Sequence, residues 1–243
     1  MGDHFSKQAA DYSRYRPEYP VALYEALLPI AKNRAAAWDC GTGSGQVARV
    51  LAEHFEQVYA TDLSAAQLEQ ANAPANVDFS LATAEQSGLA DNSVDLITVG
   101  QAIHWFDFDA FWQECRRVAK HNAVLAFWTY GLASAGLPNG FEHYYHSKKV
   151  GDYWPPGREH VDCLYESIEP PFECLLNKQL SLNLEWGVEH FLGYLSSWSA
   201  TQKYREKQAS DPVAEVREQL CQLWGEGRRQ ITWPLALKVY RIS

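Results

Sequence analysis

The sequence predicts an α/β fold in which a mostly parallel sheet is covered by helices on both faces. Two observations predict it. Short apolar runs with the composition of buried strands alternate with segments whose apolar residues recur at helical spacing. A glycine-rich turn at residues 41–45 follows the first of these runs and leads into a helix, as in ligand-binding strand-turn-helix units. At 243 residues, the chain suits a single domain with an insertion.

The first elements of the chain are a helix, a strand and a second helix. Apolar residues recur at helical spacing between residues 21 and 31, which predicts a helix ahead of the first strand. The strand covers residues 35–39 and runs into the turn at 41–45. Residues 47–55 then place apolar side chains at i, i+3, i+4 and i+8, the pattern of a helix with one buried face. The turn therefore lies between a strand and a helix.

Further strands and helices alternate along the middle of the chain. Apolar runs predict strands at residues 57–62, 77–80, 94–99 and 123–128. Ser64 and Gln67 form the S-x-x-Q pattern of a capped helix start, and Asp107 is a second candidate cap. Because strands that alternate with helices at this interval are joined by crossovers, we expect a mostly parallel sheet.

The alternation breaks down after residue 131. Residues 132–171 are rich in Gly, Pro and aromatic residues, which favours a cap inserted over the ligand crevice. A final strand is predicted from Leu235 to Ile242, directly after Pro234. The expected organisation is an N-terminal lid segment at 1–20, a cofactor-binding core at 21–131, an inserted substrate cap at 132–171 and a completion of the core at 172–243.

The composition restricts the classes of partner. A formal net charge of −9 argues against nucleic acid as the main ligand, because phosphate binding needs clustered Lys and Arg. No apolar run approaches the roughly 20 residues of a membrane-spanning helix. The five cysteines are odd in number and lack metal-ligand spacing, so we expect no metal site and a reduced, cytoplasmic protein. The expected partner is a small-molecule substrate, and the sequence leaves the oligomeric state open.

The glycine turn and a later carboxylate point to a nucleoside. Gly41, Gly43 and Gly45 follow the first strand, at the sheet edge where open α/β folds bind ligands. Asp62 closes the second strand, where a carboxylate accepts hydrogen bonds from both hydroxyls of a ribose. The combination predicts a cofactor that contains adenosine.

The spacing of the glycines and a carboxylate ahead of them distinguish between two cofactors that contain adenosine, S-adenosylmethionine and NAD. A dinucleotide fingerprint has the form G-x-G-x-x-G, whereas Gln46 stands at its third glycine here. Asp39 precedes the first glycine and repels a pyrophosphate but attracts an ammonium or sulfonium group. The charge therefore favours S-adenosylmethionine over NAD. An NAD-dependent oxidoreductase and a non-catalytic adenosyl-ligand-binding module are the alternatives outside this class.

At these motifs the chain resembles a known family. Residues 39–45, read as Asp-Cys-Gly-Thr-Gly-Ser-Gly, together with Asp62 resemble the first two motifs of class I S-adenosylmethionine-dependent methyltransferases. Further segments are similar to the trans-aconitate-type subgroup and related fungal small-molecule methyltransferases: Phe5, residues 9–10, Tyr12, residues 16–20, 83–85, 93–96 and 101–106, and Ser197-Trp198-Ser199. The similarity is fairly continuous over roughly residues 4–130.

The resemblance implies a Rossmann-like seven-stranded sheet, S-adenosylmethionine as cofactor and a set of contacts to it. Those contacts are Tyr12, Arg16, Asp39, Gly41, Gly43, Asp62, Leu63, Thr83, Ala84, Glu85 and Gln101. Many relatives have Asp where Thr83 stands, so the contact to the adenine amino group passes to Glu85 or to backbone. Arg16 either closes over the cofactor or clamps a substrate carboxylate, and an equal alternative is that it belongs to a solvated amphipathic segment.

The residues expected at the substrate are His104, Trp105, Trp128 and Tyr130, because they follow the fourth and fifth strands at the crevice. His104 is the candidate catalytic residue, either as a general base or as a group that orients the substrate. A phenolic or other hydroxyl acceptor needs the base, whereas a carboxylic acid is already ionised. The favoured expectation, by resemblance, is O-methylation of a small carboxylic acid by in-line displacement. The aromatic residues have core packing as their alternative role.

Overall fold

The sheet has the predicted character. The structure, a computed structural model, describes residues 14–72 and 74–242. Its strands are β1 (Ala36–Cys40), β2 (Gln57–Asp62), β3 (Val77–Leu81), β4 (Val94–Gly100), β5 (Ala119–Tyr130), β6 (Glu173–Gly187) and β7 (Arg228–Arg241). They form one sheet in the order β3-β2-β1-β4-β5-β7-β6. Strands β1 to β5 pair in parallel, and β7 is antiparallel to both β5 and β6. The mostly parallel, seven-stranded sheet is confirmed.

Helices connect most of these strands. They are α1 (Val21–Leu27), α2 (Gln46–Ala52), α3 (Ala65–Leu68), α4 (Phe108–Val118), α5 (Phe141–Tyr144), α6 (Arg158–Asp162), α7 (Val188–Ser196), α8 (Ser199–Gln208) and α9 (Pro212–Trp224). Both predicted caps are present. The Ser64 side chain accepts a hydrogen bond from the backbone N–H of Gln67, and Asp107 accepts one from Ala110. Each cap satisfies an N–H that has no partner inside its helix.

The two faces of the sheet bury separate clusters of apolar side chains. Alternate residues of β5 go to opposite clusters, with Ala126 and Trp128 in the first and Leu125 and Phe127 in the second. Helices α1, α2, α7 and α9 contribute to the first cluster, whereas α4 and α6 contribute to the second. Because successive side chains of a strand point to opposite faces, helices cover both sides of the sheet.

The segment at 132–171, expected as a cap, is also part of the core. Phe141 and Tyr145 are buried in the first cluster, and Val161 and Tyr165 are buried in the second. The segment lies between β5 and β6 and carries α5 and α6. Its glycines and prolines interrupt the sequence pattern, but its apolar side chains are buried all the same.

The last strand begins earlier than predicted. β7 starts at Arg228 rather than at Leu235, so Pro234 lies inside it. Pairing of β7 with β5 ends at Leu235, opposite Tyr130, and residues 228–233 continue along β6. Proline has no N–H to donate, and here it stands where the ladder to β5 stops, while its carbonyl accepts from Gly131. The proline is therefore tolerated within a long strand.

Two negative observations apply to the part of the chain that the structure describes. No helix there combines the length and the apolar character that crossing a membrane requires. No group of three or more His, Cys, Asp or Glu side chains in the same ranges is arranged to hold a metal ion.

Candidate active site

The glycine turn after β1 is shaped by two different requirements. Gly41, Gly43 and Gly45 all have left-handed backbone conformations, with φ of +69°, +57° and +81°. A Cβ on Gly41 would lie 2.7 Å from the Cβ of Ala102, and one on Gly45 would lie 2.9 Å from the ring of Phe79. Protein packing thus requires these two glycines. A Cβ on Gly43 would have no atom of the described residues closer than 3.9 Å, so these residues leave open space beside Gly43 at the sheet edge.

Asp62 ties the glycine turn to the end of β2. One carboxylate oxygen accepts from the backbone N–H of Gly43 at 2.8 Å, and the other accepts from Ser64 at 2.8 Å. These two hydrogen bonds fix the carboxylate at the carboxyl end of β2, beside the glycine turn. The neighbouring Leu63 is 58% exposed, which is unusual for a large apolar side chain in this structure. A charged acceptor and an apolar surface thus stand side by side.

Asp39 lies beneath the turn rather than in the open crevice. Its side chain is 1% exposed and accepts hydrogen bonds from the hydroxyls of Thr42 at 2.6 Å and Thr98 at 2.9 Å. Burial raises the pKa of this carboxyl to about 6, against the opposing effect of these hydrogen bonds. The structure therefore shows Asp39 as a buried support of the turn.

The segment after β3, at residues 83–85, lies beside the glycine turn's end of the sheet and holds neighbouring backbone through side-chain hydrogen bonds. Thr83 accepts a hydrogen bond from the backbone N–H of Gln86, and Ala84 is buried. Glu85 accepts from the backbone N–H of Asp107 at 3.0 Å, directly ahead of α4. These three residues join the ends of β3 and β4, on the side of the crevice where the sequence places the adenine.

Two adjoining cavities open beyond the ends of β4 and β5, the larger of about 50 Å³. Arg16, Gln101, Trp154 and Arg158 line both cavities, His104 and Trp105 line the larger one, and Tyr130 and Trp198 line the smaller one. None of the described residues that line them carries a carboxylate. Two guanidinium groups in a lining where no described residue is acidic make these cavities suited to an anion.

The two arginines are held in different ways. Arg16 donates to the hydroxyl of Tyr130 at 3.0 Å and to the carbonyl of Ser197 at 3.2 Å. Arg158, at the start of α6, donates from Nε to Asp162 at 2.8 Å, and its guanidinium lies 4.0 Å from the centre of the Trp154 ring. Ring stacking and an ion pair on one edge hold a guanidinium while leaving its other edge for recognition.

Gln101 joins the floor of the cavities to β5. Its backbone has a φ of +56°, a left-handed conformation that is uncommon outside glycine. The side-chain oxygen accepts from the hydroxyl of Thr129 at 2.7 Å and from the backbone N–H of Tyr130 at 2.9 Å. These hydrogen bonds hold the strained turn that follows β4, and strain of this kind is concentrated at functional sites.

His104 is a neutral side chain in this site. Its Nδ1 lies 2.6 Å from the hydroxyl of Tyr165. Burial, together with the electrostatic effects of Arg158 and His160, lowers the pKa of His104 to about 3. An imidazole with so low a pKa carries no charge at neutral pH and is a very weak base.

The structure brings most of the expected substrate residues together. His104, Trp105 and Tyr130 line the cavities, and so does Arg16, which the sequence assigned to the cofactor. Trp128 has a packing position instead, since it is fully buried and its ring meets Tyr19 edge to face at 5.4 Å. Tyr12 lies outside the described residues.

Sequence reasoning missed Trp154, Arg158 and Tyr165. All three belong to the segment at 132–171, which shows no helical or strand period. The local signal was the turn Pro155-Pro156-Gly157. Gly157 has a φ of +90°, and a Cβ there would overlap the carbonyl oxygen of His104. A glycine preceded by two prolines thus marks the place where this segment contacts the site.

Comparisons with known proteins agree with this geometry. Residues 38–127 match the family model described as a methyltransferase domain. A candidate methyltransferase of Dictyostelium discoideum is 35% identical over 229 residues, covering 91% of this chain and 86% of the relative. The solved structure of a candidate type II methyltransferase from Anaeromyxobacter dehalogenans is 40% identical, with a TM-score of 0.82 over 94% of this chain and 98% of that one. A malonyl-[acyl-carrier protein] O-methyltransferase of a Marinomonas species is 29% identical, over 76% of this chain and 70% of the relative.

Proposed function

This chain belongs to the class I S-adenosylmethionine-dependent methyltransferases, and from that premise we propose that it methylates a carboxylate oxygen of a small organic acid. S-adenosylmethionine supplies an electrophilic methyl group bonded to a sulfonium. The acceptor oxygen forms the new bond to carbon while the bond to sulfur breaks and its electron pair stays on sulfur, which leaves a methyl ester and S-adenosylhomocysteine.

The observation that carries this proposal is the charge of the cavities beyond β4 and β5. Arg16 and Arg158 line both of them, and no described lining residue is acidic. Guanidinium groups match carboxylates in shape as well as in charge. Trp105 and Trp154 add apolar walls, which favour a small acid with a hydrocarbon part over an inorganic anion.

The low pKa of His104 favours a carboxylate acceptor over a phenol or another hydroxyl acceptor. A hydroxyl group must lose its proton during the reaction, and a base with a pKa of about 3 takes little of it at neutral pH. A carboxylic acid with a pKa near 4 is already ionised. Catalysis then consists of alignment of the two reactants and exclusion of water. The name of the Marinomonas relative also gives oxygen as the methylated atom.

The crevice at the ends of β1 and β2 fits the adenosine part of the cofactor. In this proposal Asp62 accepts hydrogen bonds from the ribose hydroxyls, and Gly43 lets the cofactor approach the backbone. The exposed Leu63 packs against adenine, flanked by Thr83, Ala84 and Glu85. Asp39, Gly41 and Gln101 act from below by holding the backbone. The space that the described residues leave open beside Gly43, and the place of the Asp62 carboxylate against the turn, support this assignment.

Isotopically methyl-labelled S-adenosylmethionine tests the function directly. The protein is incubated with the labelled cofactor and three panels of equal size: small carboxylic acids, phenols and amines. We expect label in the acid panel only, in products that release labelled methanol under mild alkali as esters do. Label confined to phenols or amines would overturn the proposal. Calorimetric titration with S-adenosylmethionine and with NAD identifies the cofactor in the same preparation, and we expect binding of the first alone.

A further inference from the structure

His104 and Tyr165 form a pair that the proposed function does not yet use. We propose that Tyr165 is a positioning residue that fixes His104 as an N–H donor, aimed at the carboxylate of the substrate; this rests on the proposed function. The pair joins the turn after β4 to the segment that follows α6, and the sequence singled out only the histidine.

The short contact between the two side chains sets the direction of the hydrogen bond. The hydroxyl of Tyr165 lies 2.6 Å from Nδ1 of His104. A phenol donates well and accepts weakly, because its lone pairs are partly delocalised into the ring, whereas the unprotonated nitrogen of imidazole is a good acceptor. Tyr165 therefore donates to Nδ1. A neutral imidazole that accepts at Nδ1 carries its proton on Nε2.

The Nε2–H of His104 is available to a ligand. Within the described residues no hydrogen bond involves this nitrogen, while His104 lines the larger cavity together with Arg16 and Arg158. Arg158 and His160 are the positively charged or titratable groups that act on the ring, and both oppose its protonation. The cavity thus presents a neutral N–H beside two guanidinium groups, all of them donors suited to an anionic acceptor.

The backbone holds Tyr165 in place at the expense of local strain. Leu164 and Tyr165 have φ of +53° and +62°, two successive left-handed residues without glycine. The N–H of Tyr165 donates to the carbonyl of His160 at 2.7 Å, and the side chain is 1% exposed beside Phe127. A conformation of this kind persists only where the surrounding structure imposes it. Here it places one hydroxyl against one ring nitrogen.

Tyr165→Phe tests the proposal, and Tyr240→Phe is its matched control. Both tyrosines pack against Phe127, with ring centres 6.0 and 5.6 Å away, but only Tyr165 reaches the histidine. Nitrogen NMR of protein labelled at histidine reads the tautomer, and His104→Gln identifies the His104 signals by their loss. We expect Nε2–H in the wild type and in Tyr240→Phe, and a mixture of tautomers in Tyr165→Phe. For the acid, we expect Tyr165→Phe to raise KM about tenfold, with kcat and the affinity for S-adenosylhomocysteine nearly unchanged.

Two results would overturn the proposal. One is a wild-type signal that places the proton on Nδ1, which needs no variant and does not depend on the folding of Tyr165→Phe. The other is a folded Tyr165→Phe whose tautomer and KM equal those of the wild type. Failure of the proposed function gives a different result. In that case the labelling experiment finds no methylated acid, while NMR still finds the proton of His104 on Nε2.

Discussion

Asp62 is the residue on which cofactor affinity depends most directly. We expect Asp62→Ala to weaken binding of S-adenosylhomocysteine by about 1.5–3 kcal/mol, the scale of hydrogen bonds to a charged group. Calorimetric titration measures it. Asp78→Ala is the control, because Asp78 stands on the neighbouring strand β3 and bonds only the side chain of Gln57 among the contacts described. An unchanged affinity in a folded Asp62→Ala protein would show that the ribose lies elsewhere.

Gly43 tests whether the open space of the turn belongs to the cofactor. Gly43→Val should nearly abolish binding, since the branched side chain enters that space. Gly88→Val is the control, because Gly88 has a similar φ of +74°. No atom of the described residues lies within 4 Å of the position of a Cβ on Gly88. Both substitutions therefore introduce comparable backbone strain, and only the first should affect calorimetric binding. Equal affinities in the two variants would show that the turn does not contact the cofactor.

At this scale the sequence suggests some residues and not others. Gly41, Gly43 and Asp62 could be proposed as cofactor contacts because their spacing follows from the backbone geometry of one strand-turn-helix unit. The positions of Arg158 and Tyr165 depend on where an irregular segment returns to the sheet, and no local pattern encodes that contact. For Trp128 the sequence left the core and the cavity wall open as alternatives, since a strand-end aromatic residue has the same sequence context in both.

Helix α6 is the element that positions Arg158, and Gly157 sets its distance from the site. A Cβ on Gly157 would overlap the backbone of His104, at a φ of +90° that disfavours any other residue. We expect Gly157→Ala to displace the start of α6 and to raise KM for the acid about tenfold, with cofactor binding retained. Steady-state kinetics and calorimetry check the two parts.

Gly136→Ala is the control for this displacement. Gly136 lies in the same segment at a φ of +62°, and no atom of the residues that the structure describes lies within 4 Å of its Cβ position. It should keep the wild-type KM. If Gly157→Ala and Gly136→Ala have the same KM, the close approach of α6 to His104 does not position the substrate.

Regular elements were predictable wherever a period was visible. Strands β1 to β5 and the caps Ser64 and Asp107 follow from apolar runs and capping patterns. The early start of β7 was missed because Pro234 signals a strand start, whereas here it only ends the pairing with β5. The burial of Phe141 and Tyr165 of the segment at 132–171 in the two apolar clusters was not predictable, because no period marks this segment.

For the molecule as a whole, two buried groups make stability depend on pH in opposite directions. Burial raises the pKa of Asp39 to about 6, so its contribution to stability is present below its ordinary pKa of 3.8 and is lost as pH rises to 6. Burial lowers the pKa of His104 to about 3, so its contribution is present above 6.5 and is lost as pH falls to 3. Between pH 4 and 6 the two effects partly cancel.

Single substitutions should separate these two effects. Each buried group changes the free energy of unfolding by at most about 1.4 kcal/mol per pH unit, because one proton is linked to unfolding. Urea unfolding from pH 4 to 8 gives the difference between wild type and variant at each pH. As pH falls from 6.5 to 4, we expect the stability of the wild type relative to His104→Gln to decrease, because only the unfolded wild type gains the proton. Relative to Asp39→Asn it should increase below pH 6, because the folded wild type is protonated first. If the difference in stability stays constant with pH in either series, the substituted side chain has the same pKa in the folded and unfolded protein. For His104 that result would mean that the folded protein can use it as a general base.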